Sequence, residues 1–194
     1  MASTNPKHDT ADSTATQRGG EGISKTLTIF LAASVTVIAL NLYASQPLIG
    51  LFGPALGMSA ATASFVTMAT LLGYGVGLVF LVPLIDLIPN RRLIVCALAA
   101  CMGFLILAAS TSSAPVFLVA SVGIGFTATA LQMLVPVAAA LAPAARRGRV
   151  VGNLMSGLML GTLLSRPIAS LTADAFGWRS FYVLMALLTT LASL

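Results

Sequence analysis

Charge is scarce in this sequence. Only 8% of its 194 residues are Asp, Glu, Lys or Arg, whereas a soluble globular domain carries about 25%. No Asp, Glu, Lys, Arg or His occurs in residues 26–85 or in residues 93–145. Each of these runs is long enough for two helices of about 20 apolar residues. The pattern therefore excludes an ordinary soluble fold and predicts helices that cross a membrane.

Histidine and cysteine are almost as rare as charge. The single histidine, His8, lies in the polar amino-terminal segment, and Cys96 and Cys101 lie in an apolar run with no acid or histidine beside them. No Gly-x-Ser-x-Gly, phosphate-loop or paired-carboxylate motif is present. The sequence therefore predicts no catalytic residues, no metal site and no cofactor.

The basic residues beyond the tail are concentrated in two turns. Arg91 and Arg92 follow the second apolar segment, and Arg146, Arg147 and Arg149 follow the fourth. Short cytoplasmic loops of membrane proteins carry an excess of Lys and Arg, so both turns and the amino terminus are expected in the cytoplasm. The net charge of +5 lies in loops rather than along one helix face, which favours membrane topology over nucleic-acid binding.

The pattern divides the chain into a polar tail and six apolar segments. Residues 1–24 have almost no apolar content and predict a disordered cytoplasmic tail. Residues 25–194 predict an all-α bundle of six transmembrane helices, at about residues 25–49, 60–85, 93–109, 116–141, 150–173 and 179–194. The last segment gives only about 22 Å of helix, less than the roughly 30 Å of hydrocarbon. We therefore expect the chain to be a fragment of a longer protein.

Five polar residues within the apolar segments are candidates for lining a substrate cavity. Asn41, Tyr43 and Gln46 lie near the outer end of the first helix, Gln132 lies in the fourth, and Arg166 lies in the fifth. A guanidinium at the centre of a membrane helix costs about 2.5–3.5 kcal/mol on insertion scales. Arg166 is roughly 24 Å along a path of about 30 Å, so it lies either within the hydrocarbon or close enough to the outer surface for its side chain to reach the interface. Its two alternative roles are ligand binding or gating, and a structural bond between helices. The polar end of the first helix either lines a cavity, forms hydrogen bonds between helices or lies at the membrane interface.

Glycine and proline recur at a fixed offset of 84 residues. Gly-x-x-x-Gly followed six residues later by Pro occurs twice, as Gly73, Gly77 and Pro83 and as Gly157, Gly161 and Pro167. Small residues allow helix backbones to approach closely, and a proline removes a helical hydrogen bond, so a kink is expected near Pro83. The two predicted helices run in opposite directions. The match therefore predicts a three-helix unit repeated with inverted topology, as in secondary transporters.

The turn from Val82 to Arg92 resembles the loop signature of the major facilitator superfamily, Gly-x-x-x-Asp-Arg-x-Gly-Arg-Arg. Asp86 falls on the aspartate and Arg91 on the last basic position, and Arg92 adds a charge. Val82 stands in place of the first glycine, and Leu87 in place of the basic residue after the aspartate. Four further stretches resemble the drug-efflux and arabinose-efflux-like branch of bacterial permeases, namely residues 41–48, 73–74, 81–86 and 177–179.

This resemblance covers residues 25–194 and implies the amino-terminal half of a twelve-helix transporter in the bacterial inner (plasma) membrane. Its fold would be a six-helix bundle with a 3+3 inverted repeat, and its activity would be efflux of a small organic solute by alternating access. Coupling to protons is one option, although Asp86 and Asp174, the acids beyond the tail, lie at the ends of predicted helices. The implied partners are the solute, protons, membrane lipid and the carboxy-terminal six-helix half.

The resemblance also implies a gating role for the loop. In this family the loop aspartate contacts a helix end of the other half, so Asp86 would hold the outward-facing state, since helix amino termini favour a carboxylate. Arg91 and Arg92 would bind loop carboxylates or lipid phosphates, or would fix topology alone. The competing hypothesis for the whole chain is a non-transporting fragment, or a half-unit that needs a partner.

Overall fold

A computed structural model describes residues 25–193, apart from the side chains of Lys25 and Asp86. The predicted tail, residues 1–24, lies outside the described residues, as does Leu194. All regular structure within the described part is helical. Its α-helices are α1 Lys25–Tyr43, α2 Ser45–Ala55, α3 Ala60–Phe80, α4 Asn90–Ser110, α5 Ala114–Ala128, α6 Ala130–Leu141, α7 Arg147–Phe176 and α8 Trp178–Ala192.

Five segments are long and apolar enough to cross a membrane. They are residues 26–43, 60–85, 90–110, 114–141 and 144–176. The apolar helix α8 is shorter, with 15 residues. Residues 25–193 are therefore helical throughout their regular structure, and the chain is a multi-pass integral membrane protein.

The first predicted helix, residues 25–49, ends too early. Helical structure continues to Ala55 and is interrupted at Ala44, which separates α1 from α2. Pro47 does not stop the helix because it is the third residue of α2, where its missing N–H would have no partner within the helix. The predicted loop of residues 50–59 is consequently reduced to residues 56–59, and Gly57 adopts a positive φ of 63° in this turn.

The second predicted helix, residues 60–85, is instead too long. The helix α3 ends at Phe80, and a 3₁₀ turn, Pro83–Asp86, follows it. Pro83 cannot donate to the carbonyl of Val79, and its ring would clash with that carbonyl inside a helix. The chain therefore leaves the helix before Pro83 rather than kinking within it.

The third and fifth predicted helices are too short at both ends. The helix α4 begins at Asn90, so Arg91 and Arg92 lie in its first turn, and α7 begins at Arg147 and continues to Phe176. Hydropathy marks the part of a helix that suits lipid, whereas the helix itself extends into the polar interface. The arginines therefore lie on helix ends rather than in loops.

The fourth predicted helix, residues 116–141, consists of two helices, α5 and α6. They meet at Thr129, which is fully buried and whose hydroxyl donates to the carbonyl of Phe126 at 2.6 Å. Such local bonds from a threonine to its own helix favour a bend. The sixth predicted helix, residues 179–194, is α8, which begins at Trp178 and ends at Ala192.

The two ends of the bundle differ in chemistry. We call one the arginine end, because α4 and α7 begin there with their arginines. We call the other the aromatic end, because a cluster of rings with centroids 5.0–6.3 Å apart joins α2, α5 and α8 there. Its members are Phe52, Phe117, Trp178, Phe181 and Tyr182. Short connections make successive spans run alternately between the two ends.

Two interhelical contacts are built in the same way. The helix α3 packs along α5, and α7 packs along α1. In each contact two glycines, four residues apart, face two backbone carbonyls, also four apart. The pairs are Gly73 with Val122, Gly77 with Phe126, Gly157 with Ala32, and Gly161 with Thr36. A Cβ atom at Gly157 would lie 2.5 Å from the facing carbonyl oxygen, so a larger residue would force the helices apart.

Candidate substrate-binding site

A polar cavity of about 370 Å³ lies between α7 and the region where α1 meets α2. Its lining combines a guanidinium, an amide, a phenol and two hydroxyl-bearing residues with one leucine. The lining residues are Tyr43, Gln46, Thr162, Leu163, Ser165 and Arg166. Across the cavity wall, Arg166 Nη2 donates a hydrogen bond of 3.2 Å to Gln46 Oε1.

The interruption of the helix at Ala44 brings two of these residues to the cavity. Tyr43 is the last residue of α1 and Gln46 is the second residue of α2, so both lie where the first span changes from one helix to the next. On the opposite wall, Pro167 follows Arg166 inside α7 and lacks the N–H that would bond to the carbonyl of Leu163. A backbone acceptor at the cavity is therefore released from the helical pattern.

Arg166 carries a charge that the described side chains do not neutralise. It forms no ion pair with a carboxylate among them, and its hydrogen bond within this set is the one to the neutral amide of Gln46. Asp174 lies eight residues further along the same helix, about 12 Å along its axis. Asp86 lies near the arginine end, whereas Arg166 is about 28 Å along α7 from that end.

The structure brings together three of the five predicted cavity residues, Tyr43, Gln46 and Arg166. Asn41 lies elsewhere, buried in the bundle with 6% of its surface exposed. Its Nδ2 donates to Thr189 Oγ1 at 3.1 Å and lies 4.0 Å from Cys101 Sγ. Its Oδ1 has no hydrogen-bond partner in the part of the chain that the structure describes. The geometry at Asn41 therefore matches the alternative of a bond between helices.

Gln132 also lies outside this cavity. Its Nε2 donates to the hydroxyl of Tyr74 at 2.9 Å, which joins α6 to α3. Sequence reasoning missed Thr162, Leu163 and Ser165, which line the cavity on α7. The spacing of Thr162 and Leu163, four and three residues before Arg166, was a usable signal, since such residues share a helix face.

The loop-signature residues lie apart from this cavity. Asp86 ends the 3₁₀ turn, and Arg91 and Arg92 are exposed in the first turn of α4. Cationic side chains are unfavourable at a helix amino terminus, by about 0.3–1 kcal/mol each. Helix stability therefore does not account for the two arginines.

Alternating apolar spans that pack through glycines and enclose a polar cavity are typical of helical membrane transporters. Comparison with known proteins makes the assignment specific, since the sequence profile of the Major Facilitator Superfamily matches residues 30–194. The chain belongs to this family, which confirms the resemblance seen in the sequence. Family membership points to a transporter rather than to an enzyme.

Three relatives carry transporter or resistance names. The putative uncharacterized transporter YgaY of Escherichia coli K12 is 38% identical over 170 residues, which cover 86% of this chain and 43% of that protein. The probable transporter SCO4007 of Streptomyces coelicolor is 32% identical over 179 residues, 91% of this chain and 41% of that protein. The chloramphenicol resistance protein of Streptomyces lividans is 32% identical over 132 residues, which cover 66% of this chain and 33% of that protein. The chain therefore spans less than half the length of these relatives.

Proposed function

We propose that this chain is the amino-terminal half of a secondary-active transporter that exports a small organic solute by alternating access. The observation that carries the proposal is the polar cavity with Arg166, whose charge no described side chain neutralises, between two of the apolar spans. The family and the relatives' names support transport, and the relatives' length supports a second half of similar size.

The proposed fold is a 3+3 inverted repeat, with one unit from α1 to α4 and the other from α5 to α8. Two matching contacts support it. The glycines of α3 and α7 are 84 residues apart, and the carbonyls that they face, at Val122 and Phe126 and at Ala32 and Thr36, are 90 residues apart. Repeats of this kind place a binding site between units near the membrane midplane.

The proposed orientation has the arginine end in the cytoplasm and the chain in the plasma membrane of a bacterium. The excess of basic residues at this end supports it. Asp86 would then hold the outward-facing state through the second half, with Arg91 and Arg92 on lipid phosphates or loop carboxylates. The position of both arginines in an unfavourable first helical turn supports a role outside helix stability.

Export is the direct test of the proposal. The longer protein that contains this chain should lower the cellular accumulation of its solute, and the name of the S. lividans relative makes chloramphenicol the first solute to test. Asp86→Ala should abolish export while the protein still reaches the membrane, and Asp174→Ala, the matched acid at the other end, should not. Export that survives Asp86→Ala would exclude the proposed role of Asp86 in holding the outward-facing state. Absence of export for every solute tested would exclude the proposed transport function.

Coupling to protons belongs to the same proposal. An uncoupler that collapses the proton gradient should then stop export without lowering the amount of protein in the membrane. Export that continues at its original rate would exclude this coupling.

The second candidate is a non-transporting fragment or a half-unit that needs a partner. The share of the relatives that the chain covers, 43% or less, favours it. Reconstituting the 194-residue chain alone in vesicles distinguishes the two cases, since solute flux through the chain alone would exclude this candidate.

A further inference from the structure

We propose that the polar cavity binds a solute with a carboxylate group, and that Arg166 is the residue that recognises this group. The inference rests on the proposed transport function, because it assigns the chemical class of the solute at the proposed site. Two features of one guanidinium carry the inference. They are its position in an apolar stretch of α7 and its unused hydrogen-bond donors.

Arg166 lies well inside the helix α7 rather than at either of its ends. The helix α7 continues for ten residues beyond it to Phe176, about 15 Å along the axis. Apolar side chains are exposed on both sides of it along the helix, with Leu163 72% exposed before it and Leu171 70% exposed after it. Arg166 is itself exposed and therefore lies in an apolar stretch of α7 without an anionic partner among the described side chains. An unpaired charge in apolar surroundings is costly.

The cavity leaves most of the guanidinium free to bind. A guanidinium has five N–H donors, and the hydrogen bond to Gln46 uses one of them through Nη2. The hydroxyls of Ser165 and Thr162 already donate to backbone carbonyls of α7, at 2.7 and 2.9 Å. The lining thus offers a planar cation without a described anionic partner, and a carboxylate matches its fork with two parallel hydrogen bonds.

The same cavity also constrains the rest of the solute. Tyr43 and Leu163 contribute an aromatic ring and an aliphatic side chain to the lining, which suits an apolar or aromatic body beside the anionic group. A small aromatic carboxylate combines these features. Benzoate and benzamide are therefore suitable probes, because they have nearly the same shape and differ in charge at pH 7.

The experiment measures binding of radiolabelled benzoate and benzamide to the longer protein that contains this chain, purified in detergent micelles. The wild-type protein should bind benzoate at least about tenfold more tightly than benzamide, since hydrogen bonds to charged groups are about twice as strong as neutral ones. Arg166→Gln should remove this preference, and Arg166→Lys should retain part of it. The matched control is Arg179→Gln at the aromatic end, where the guanidinium lies 4.4 Å from the Trp178 ring and bonds to the Thr111 carbonyl.

Equal binding of both probes by the wild type would overturn the inference, and so would benzoate binding that survives Arg166→Gln. Absence of benzoate binding by the wild type would also overturn it, and a lower melting temperature of Arg166→Gln in the longer protein would then indicate a structural role for Arg166. The transport proposal is judged separately. Export of a neutral solute by Arg166→Gln would support the transport proposal even if the carboxylate inference failed. Benzoate binding that depends on Arg166, without any export, would support the binding site and contradict the transport proposal.

Discussion

Two cavities of the bundle differ in chemistry more than in size. The larger one, of about 460 Å³, is a groove between α4 and α8 whose walls include Met102, Ile106 and Leu187. Its two hydroxyl-bearing side chains are already engaged. The Thr190 hydroxyl contacts Met102 Sδ at 2.9 Å and the carbonyl of Ala186 at 2.8 Å, and the Ser110 hydroxyl donates to the carbonyl of Ile106 at 2.8 Å. The smaller cavity, of about 370 Å³, contains the unneutralised Arg166.

The comparison shows that volume does not identify a binding site in a membrane protein. An apolar groove on a helical bundle is a surface that lipid chains fill, and lipid is as apolar as the groove itself. A charged side chain at membrane depth instead needs water, a partner or a ligand. The smaller cavity is therefore the candidate site, and the predictions below are arranged to separate the two cavities.

The largest expected effect comes from breaking the contact that supports the polar cavity. Gly157→Leu places a side chain 2.5 Å from the carbonyl oxygen of Ala32, so α1 and α7 must separate. Overpacking of this kind costs roughly 1–3 kcal/mol, and we expect a clear fall in the melting temperature in detergent. The control is Gly152→Leu on the same helix, where nothing lies within 4 Å of an added Cβ. Equal melting temperatures for the two variants would contradict the close packing.

Filling each cavity in turn should affect binding very differently. Thr162→Trp places a large ring in the polar cavity and should weaken benzoate binding by about tenfold or more. Ile106→Trp adds a similar volume to the apolar groove and should leave the affinity within about twofold. The same binding assay in micelles measures both variants. The reverse ranking would assign the ligand to the groove between α4 and α8.

A smaller effect is expected from the amide beside the guanidinium. Gln46→Leu removes the acceptor that bonds to Arg166 at 3.2 Å and should lower benzoate affinity by about threefold to tenfold, because Arg166 loses its orientation. Gln132→Leu removes a glutamine amide that lies outside the cavity and bonds to Tyr74, and it should leave the affinity unchanged. Equal losses in the two variants would remove the distinction between the two amides.

The smallest effect concerns one hydrogen bond beneath the cavity. The hydroxyl of Thr36 lies 2.9 Å from the carbonyl oxygen of Gly157 on α7 and 2.9 Å from that of Ala32 on α1, so the two acceptors share its one proton. Thr36→Val should reduce stability by about 0.6 kcal/mol, the average for such bonds in membranes, which a small decrease in the melting temperature would report. Ser64→Ala, which removes an exposed bond within α3 alone, should have less effect. A larger decrease for Ser64→Ala than for Thr36→Val would contradict this role.

The sequence predicted the class of fold because charge-free runs and basic turns follow directly from membrane physics. The glycine pairs marked the places where helix backbones approach, since a side chain at Gly73 or Gly157 would meet a carbonyl. Helix ends were less predictable. Hydropathy detects only the apolar part of a helix. It therefore missed the polar first turns that contain Arg91 and Arg92 in α4 and Arg147 in α7.

The site was predicted only in part, because the sequence does not show which way a side chain points. Asn41 and Gln46 belong to one polar cluster, but Asn41 faces Thr189 in the core and Gln46 faces Arg166 in the cavity. The interruption at Ala44 lies between them, and nothing in the local pattern indicated it.

The most direct measurement is the reactivity of two single cysteines in membrane vesicles, with Cys96 and Cys101 first replaced by alanine. A charged, membrane-impermeant thiol reagent should modify a chain with Thr162→Cys, because the polar cavity admits water, and benzoate should slow this reaction. The same reagent should leave Ile106→Cys unmodified in its apolar groove. Equal reactivity at the two positions, or modification of position 106 alone, would contradict the assignment of the polar cavity as the solute site.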